Sequence, residues 1–215
     1  MKTVDSSVIE ALAAYDSATV QNAGILVRGY VHADIDYTDP RLRQYISPNE
    51  KPAVGYALTS TWTPITGSNS DGYARTDYFD SIARANVPVI VAQQDIDEVP
   101  NRGAIIGDGM AFQMSALGAV GALVEGNARD IPGIEKAGLP LWATGRVPGH
   151  GPFNMIEHEI PVTVASLQIN PGDILVCDAD GATRVPVEEA VDVAKMCAEV
   201  RAKEAASHNF FSMPN

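Results

Sequence analysis

The apolar and polar positions along the chain alternate between strand-like and helix-like spacing. Asp5-Ser6-Ser7 ahead of Val8-Ile9-Glu10-Ala11-Leu12 reads as a capped helix start, with apolar periodicity carried through Ala13 and Ala14 and past Asp16 to Ala23. This predicts an N-terminal helix over 1–25. Residues 30 to 53 are polar, irregular and rich in Asp, Tyr and Pro, as a surface-covering segment would be. Val54 to Thr63 alternates like a strand, Gly67 to Gly72 reads as a loop, Asp77 to Asn86 as a short helix, and Pro88 to Ala92 as a buried strand. A second strand–helix–strand unit follows. Gly103 to Ile106 is a short strand, Gly107-Asp108-Gly109 opens a helix through Met110, Met114 and Leu117, and Gly121 to Glu125 is the next strand. Leu139 to Ala143, Ile160 to Val164, Ile174 to Asp178 and Thr183 to Pro186 are further strands, the last two joined across Ala179-Asp180-Gly181. Asn170-Pro171-Gly172-Asp173 is a turn. From Val187 to about Ser207 the pattern is a long, charged amphipathic helix. No repeat or linker interrupts this, so residues 1–215 read as one α/β domain.

Composition narrows the class of partner. With 15 Lys+Arg against 27 Asp+Glu the net charge is −12, which argues against nucleic acid and against an anionic membrane surface. A 46% hydrophobic content excludes a disordered chain. The longest nearly uncharged apolar stretch, Met110 to Val124, is too short and polar to span a bilayer, which takes about 20 apolar residues. The N-terminus turns acidic at once and lacks the apolar core of a signal peptide. Cys177 and Cys197 could pair, but two buried free thiols in a cytoplasmic protein are the favoured reading.

The segment that carries chemistry is Gly107-Asp108-Gly109-Met110, followed after Asp108 by twenty residues and then Arg129-Asp130. In a strand–helix–strand unit both ends of this segment lie at one sheet edge. The first is a glycine-rich turn into a helix N-terminus, whose free N–H groups favour an anion. An arginine brought beside it suits a small carboxylate. Asp108 and Asp130 could hold a hard divalent cation, directly or through its waters. The alternative makes Asp108 a surface cap and Arg129–Asp130 an exposed ion pair worth under about 1 kcal/mol. Phe112 stands where a dinucleotide fingerprint needs its third glycine. Elsewhere, Glu157-His158-Glu159 reads as an exposed edge, because in a strand His158 points away from the two acids. His150, between glycines, sits in a loop that could reach a site. Asp34, Asp36 and Asp39 lack calcium-loop spacing and read as solvated surface. Ser115 and the other serines show no nucleophile elbow.

Asp108, twenty residues and Arg129-Asp130 together resemble the Asp-X20-Arg-Asp signature of the class II pyruvate aldolases. That family includes 4-hydroxy-4-methyl-2-oxoglutarate and 4-carboxy-4-hydroxy-2-oxoadipate aldolases and shares its fold with the regulator of ribonuclease E activity. Ser17 to Ala23, Gly126 to Asp130, Gly138 to Ala143, Pro161-Val162, Pro171-Gly172-Asp173 and Asp178 to Gly181 also stand in family order, covering about residues 14 to 190. The resemblance implies an α/β fold, a single swivelling β/β/α-type domain with an N-terminal helix and a long C-terminal helix. It implies that Gly107, Asp108, Gly109 and Met110 bind the pyruvyl carboxylate. Arg129 would bind substrate at the 2-oxo oxygen, Asp130 would ligate Mg²⁺ or Mn²⁺, and Asp108 would orient metal-bound water. The implied activity is cleavage of a 4-hydroxy-2-oxo acid to pyruvate, with oxaloacetate decarboxylation as a possible companion, by a homotrimer or homohexamer. A non-catalytic ribonuclease regulator, or a lyase for another oxo acid, is the alternative; regulator-type members lack the acid after the arginine, which this chain keeps. Many family aldolases carry an acid three positions after the metal Asp. Gly133 stands there, with Glu135 nearby.

Overall fold

The computed structural model describes residues 1–48, 50–67 and 72–211. Helices α1 (Ser6–Leu12) and α2 (Ser17–Arg28) lead into α3 (Ala33–Asp36) and strands β1 (Arg43–Ile46) and β2 (Ala53–Thr63). Next come α4 (Gly72–Ala85), β3 (Val89–Asp95), β4 (Ala104–Ile106), α5 (Asp108–Ala116), β5 (Ala119–Ala128), α6 (Ile131–Ala137) and β6 (Leu141–Arg146). The chain continues through β7 (Asn154–His158), β8 (Val162–Val164), β9 (Leu167–Ile169), β10 (Ile174–Asp178), β11 (Gly181–Val185) and α7 (Ala190–Phe211). The main sheet runs β1-β6-β5-β3-β2-β10-β11, with β4 added on β5 and β7 on β2. Its centre, β2, β3, β5 and β6, is parallel, while β1 and β10–β11 are antiparallel additions at its two sides. This is an α/β domain with helices at its N-terminus and a long helix at its C-terminus.

Period-2 alternation decides which side chain meets which layer. In β2, Val54, Tyr56 and Leu58 face helices, whereas Ala53 and Ala57 face the β8–β9 hairpin. In β3 and β10 the same split puts Val91 and Val176 toward helices and Ile90, Leu175 and Cys177 toward the hairpin. Both faces of the sheet are therefore covered, and ten of the eleven residues of β2 are buried. Burial pushes the Cys177 thiol up and raises that of Cys197 to about 11. Both cysteines are free and buried, as expected.

Several expectations are corrected. The stretch over 1–25 is two helices, because Asp16 caps a new start: its carboxylate accepts from the Thr19 N–H at 2.7 Å, while Asp178 accepts from Ser17 N and Oγ at 2.6 and 2.7 Å. The irregular segment 30–53 holds α3 and β1, and Asp36 there is not solvated surface. It is 1% exposed and paired with Arg28 at 2.7 Å. Glu157 and Glu159 are exposed, as the edge reading expects, but His158 is half-buried and pairs with Asp77 at 3.1 Å, while Glu159 lies beyond the strand at φ 58°. Strand β9 and helix α6 carried no expectation, and the loop reading of Gly67 to Gly72 falls largely outside the described residues. The C-terminal helix starts at Ala190 and runs to Phe211. Among the described residues no helix is long and apolar enough to cross a membrane.

Candidate active site

The parallel pairing of β4 with β5 builds the site. Ile106 is in register with Ala128, so the segments after both strands leave at the same edge of the sheet, where α/β folds place their ligands. The Arg129 N–H donates to the Ile106 carbonyl at 3.0 Å, locking the two exits together. Gly107 is buried against the second exit: a methyl there would lie 3.2 Å from Asp130 Oδ2 and 3.3 Å from Arg129 Cγ. Gly107 also occupies the N-cap of α5 and offers no side chain to cap it. The first-turn N–H groups of an α-helix have no intrahelical acceptor. Of these, the Gly109 N–H is taken by Asp108 Oδ1 at 2.7 Å.

Asp130 adopts φ 55° and ψ 39°, the left-handed region, at the N-cap of α6, but its carboxylate does not cap the helix. Instead Oδ2 stands 2.9 Å from Arg129 Nε, and Arg129 Nη2 donates to Oδ1 at 3.5 Å. The left-handed backbone thus turns the carboxylate back toward the β4–α5 turn; strain of this kind is often kept at functional sites. Gly133, on the first turn of α6, faces Asp108: a Cβ there would lie 2.6 Å from Asp108 Cβ and 2.8 Å from Oδ2. A side chain at 133 would require Asp108 and the start of α6 to stand further apart than they do here. Glu135 is exposed on α6 and does not line the pocket.

All six residues singled out in the sequence line one pocket of about 290 Å³: Gly107, Asp108, Gly109, Met110, Arg129 and Asp130. Three more complete its wall. His150 comes from the β6–β7 loop that the sequence flagged. Its ring stacks on Phe153 at 4.4 Å, and its Nδ1 lies 2.7 Å from the Gly151 carbonyl. Phe153 and Arg75 carried no signal in the sequence. Arg75 arrives from α4, which packs on β7 and α5, so only packing brings it to the pocket.

The donor set suits a hydrated hard cation. Asp130, with its side chain 38% exposed and free of capping, offers a carboxylate to the pocket, and Asp108 keeps Oδ2 clear of the Gly109 contact. Mg²⁺ characteristically binds one or two carboxylates and retains waters. Among the described residues no cluster of three or more His, Cys, Asp or Glu forms a closed cage. The pocket thus fits an open, water-rich cation site.

A mixed α/β domain with a glycine-turn pocket at parallel strand ends defines the class, and comparison gives the family. Residues 18–184 match the model for RraA-like proteins, described as Aldolase/RraA, and the chain belongs to that family. A protein of Halalkalibacterium halodurans, provisionally named a 4-hydroxy-4-methyl-2-oxoglutarate aldolase, is 27% identical over 72% of this chain and 78% of its own length. Among solved structures, Streptomyces coelicolor RraAS2, described as an unusual member of the RNase ES inhibitor RraA family, superposes with TM-score 0.76. It is 22% identical and covers 97% of this chain and 98% of its own. A structure described among novel cellulases from gut-associated microbes superposes with TM-score 0.79 at 19% identity, over 96% of this chain and 89% of its own. At these identities the solved structures establish the fold.

Proposed function

We propose that the chain is a class II, divalent-cation-dependent aldolase that cleaves a 4-hydroxy-2-oxo acid, of the 4-hydroxy-4-methyl-2-oxoglutarate type, to pyruvate and a second oxo compound. The observation that carries this reading is the convergence of the Gly107–Met110 turn, Arg129 and Asp130 on one pocket. In this reading the N-terminal amides of α5 bind the pyruvyl carboxylate and Arg129 faces the 2-oxo oxygen. Asp130 would hold Mg²⁺ or Mn²⁺, a Lewis acid for developing oxyanion charge. The C4 hydroxyl gives its proton to a water oriented by Asp108. The C3–C4 bond breaks, its electron pair moves into the C2–C3 bond and the carbonyl π pair onto the 2-oxo oxygen, and the enolate takes a proton at C3 to become pyruvate. Arg129 is a fixed positive charge beside that oxygen, so it stabilises the enolate more than the ketone. Oxaloacetate would lose CO₂ through the same enolate. The reading includes a cytoplasmic homotrimer or homohexamer; Leu26, Tyr30, Val31 and Phe112, each about half exposed, are apolar surface available to such contacts.

The test is pyruvate release from 4-hydroxy-4-methyl-2-oxoglutarate and from oxaloacetate, with Mg²⁺, Mn²⁺ or chelator, beside Asp130→Ala and an enzyme-free control. Chelator-sensitive release that Asp130→Ala loses supports the lyase. Release no faster than the control removes these two substrates and leaves a lyase for another oxo acid or the ribonuclease-regulator role.

A further inference from the structure

We infer that Arg75 makes this pocket selective for oxo acids bearing a second carboxylate at the end remote from the pyruvyl group, an inference that rests on the reading just given. Three observations carry it. Arg75 lines the same pocket as Arg129 and Asp130, but from a separate element, α4, so the pocket has a cation on a second wall. Arg129 is already paired with Asp130 at 2.9 Å. The Arg75 guanidinium has no carboxylate partner among the described residues.

Arg75 is also held in place. Phe79, one helical turn on, presents its ring to the guanidinium at 5.9 Å, and side chains four apart share a helix face. That ring contact orients the group without neutralising it. A partly buried, oriented guanidinium with no carboxylate partner among the described residues is matched best by an anion, and its planar fork pairs bidentately with a carboxylate. Charge counting agrees. Arg75 and Arg129 balance Asp108 and Asp130, so a divalent cation would leave the pocket two positive charges, the charge of a dicarboxylate. The stacked His150 and Phe153 form an aromatic wall that limits where the remote end can go.

The experiment uses substrate pairs matched in length. Cleavage of 4-hydroxy-2-oxoglutarate is compared with that of 4-hydroxy-2-oxopentanoate, which lacks the remote carboxylate, in wild type, Arg75→Gln and Arg75→Lys. In parallel, calorimetry measures binding of 2-oxoglutarate and 2-oxopentanoate, neither of which can be cleaved. Thermal melts of each variant check folding. Wild type should prefer the dicarboxylate in kcat/KM, and Arg75→Gln should lose about 10–100-fold on it, mainly through KM, as expected for a lost charge-assisted contact. The monocarboxylate should be unaffected, and Arg75→Lys should recover part of the loss. Weaker 2-oxoglutarate binding in Arg75→Gln, with 2-oxopentanoate unchanged, is the matching signature. Equal losses on both members of a pair, or equal wild-type affinity for both, overturn the role of Arg75 and leave the lyase standing. A wild type that cleaves neither of these substrates nor 4-hydroxy-4-methyl-2-oxoglutarate sinks the proposed lyase reading, and the binding comparison still decides Arg75.

Discussion

Gly133→Ala tests whether α5 and α6 set the pocket together. The added methyl would sit 2.6 Å from Asp108 Cβ and 2.8 Å from its Oδ2. Carbon atoms pack best at about 3.5–4.0 Å, so the two must separate by about 1 Å. Asp108 is the first residue of α5, and its Cβ is fixed by the helix backbone, so rotating χ1 does not relieve the contact. One of the two helix starts must move instead, shifting the Gly109 and Met110 amides relative to Arg129 and Asp130. A displacement of about 1 Å in a positioned site costs on the order of 100-fold in rate. Stability should change less. Overpacking costs about 1–3 kcal/mol, and replacing a helical glycine returns up to about 1. At about 2–4 °C per kcal/mol for a chain of this size, Tm should fall by less than about 12 °C. Gly109→Ala is the comparison, because a methyl there meets nothing within 4 Å and should leave the fold intact. The assay is chelator-sensitive pyruvate release, read beside a thermal melt. Wild-type kcat/KM in Gly133→Ala would refute the argument, because it would mean that the place of α5 does not matter.

Three further outcomes follow from the same geometry. Asp130→Asn should keep stability within about 0.5 kcal/mol and lose metal-dependent activity, whereas Asp130→Val should destabilise by about 1–3 kcal/mol, since a β-branched residue resists φ 55°; chemical denaturation separates the two. Arg28→Ala should cost about 3–5 kcal/mol, because it strands Asp36, 1% exposed, without its partner at 2.7 Å. Partial burial would raise the Asp39 carboxyl, but hydrogen bonds from Arg41 and Ser166 win and lower it to about 2. A depressed folded value means stabilisation present above the ordinary carboxylate range and lost as pH falls from about 4 through 2. NMR titration should find Asp39 near 2 in wild type and closer to 3.8 in Arg41→Ala; an unshifted wild-type value would refute the pairing.

What the sequence determined by itself is whatever depends on spacing. Strand alternation in β2, the buried apolar run of β3, the helix opened by Gly107-Asp108-Gly109, and the placing of Arg129-Asp130 at the same edge all follow from local periodicity and the strand–helix–strand rule. Other features needed the tertiary structure. The restart of α2 at Asp16 depends on Asp178, 161 residues on, accepting from Ser17. Helix α6 is only seven residues long and begins at a left-handed Asp130, which no propensity marks. Asp36 looks like one acid in a solvated cluster until Arg28, which also pairs with Glu189, is brought beside it. Arg75 and Phe153 join the pocket because α4 and the β6–β7 loop pack there, a matter of long-range contact. Spacing thus located the two turns that face each other, because a helix or strand fixes its own periodicity. The opposite wall of the pocket was decided by burial and charge pairing between distant segments, which no local pattern encodes.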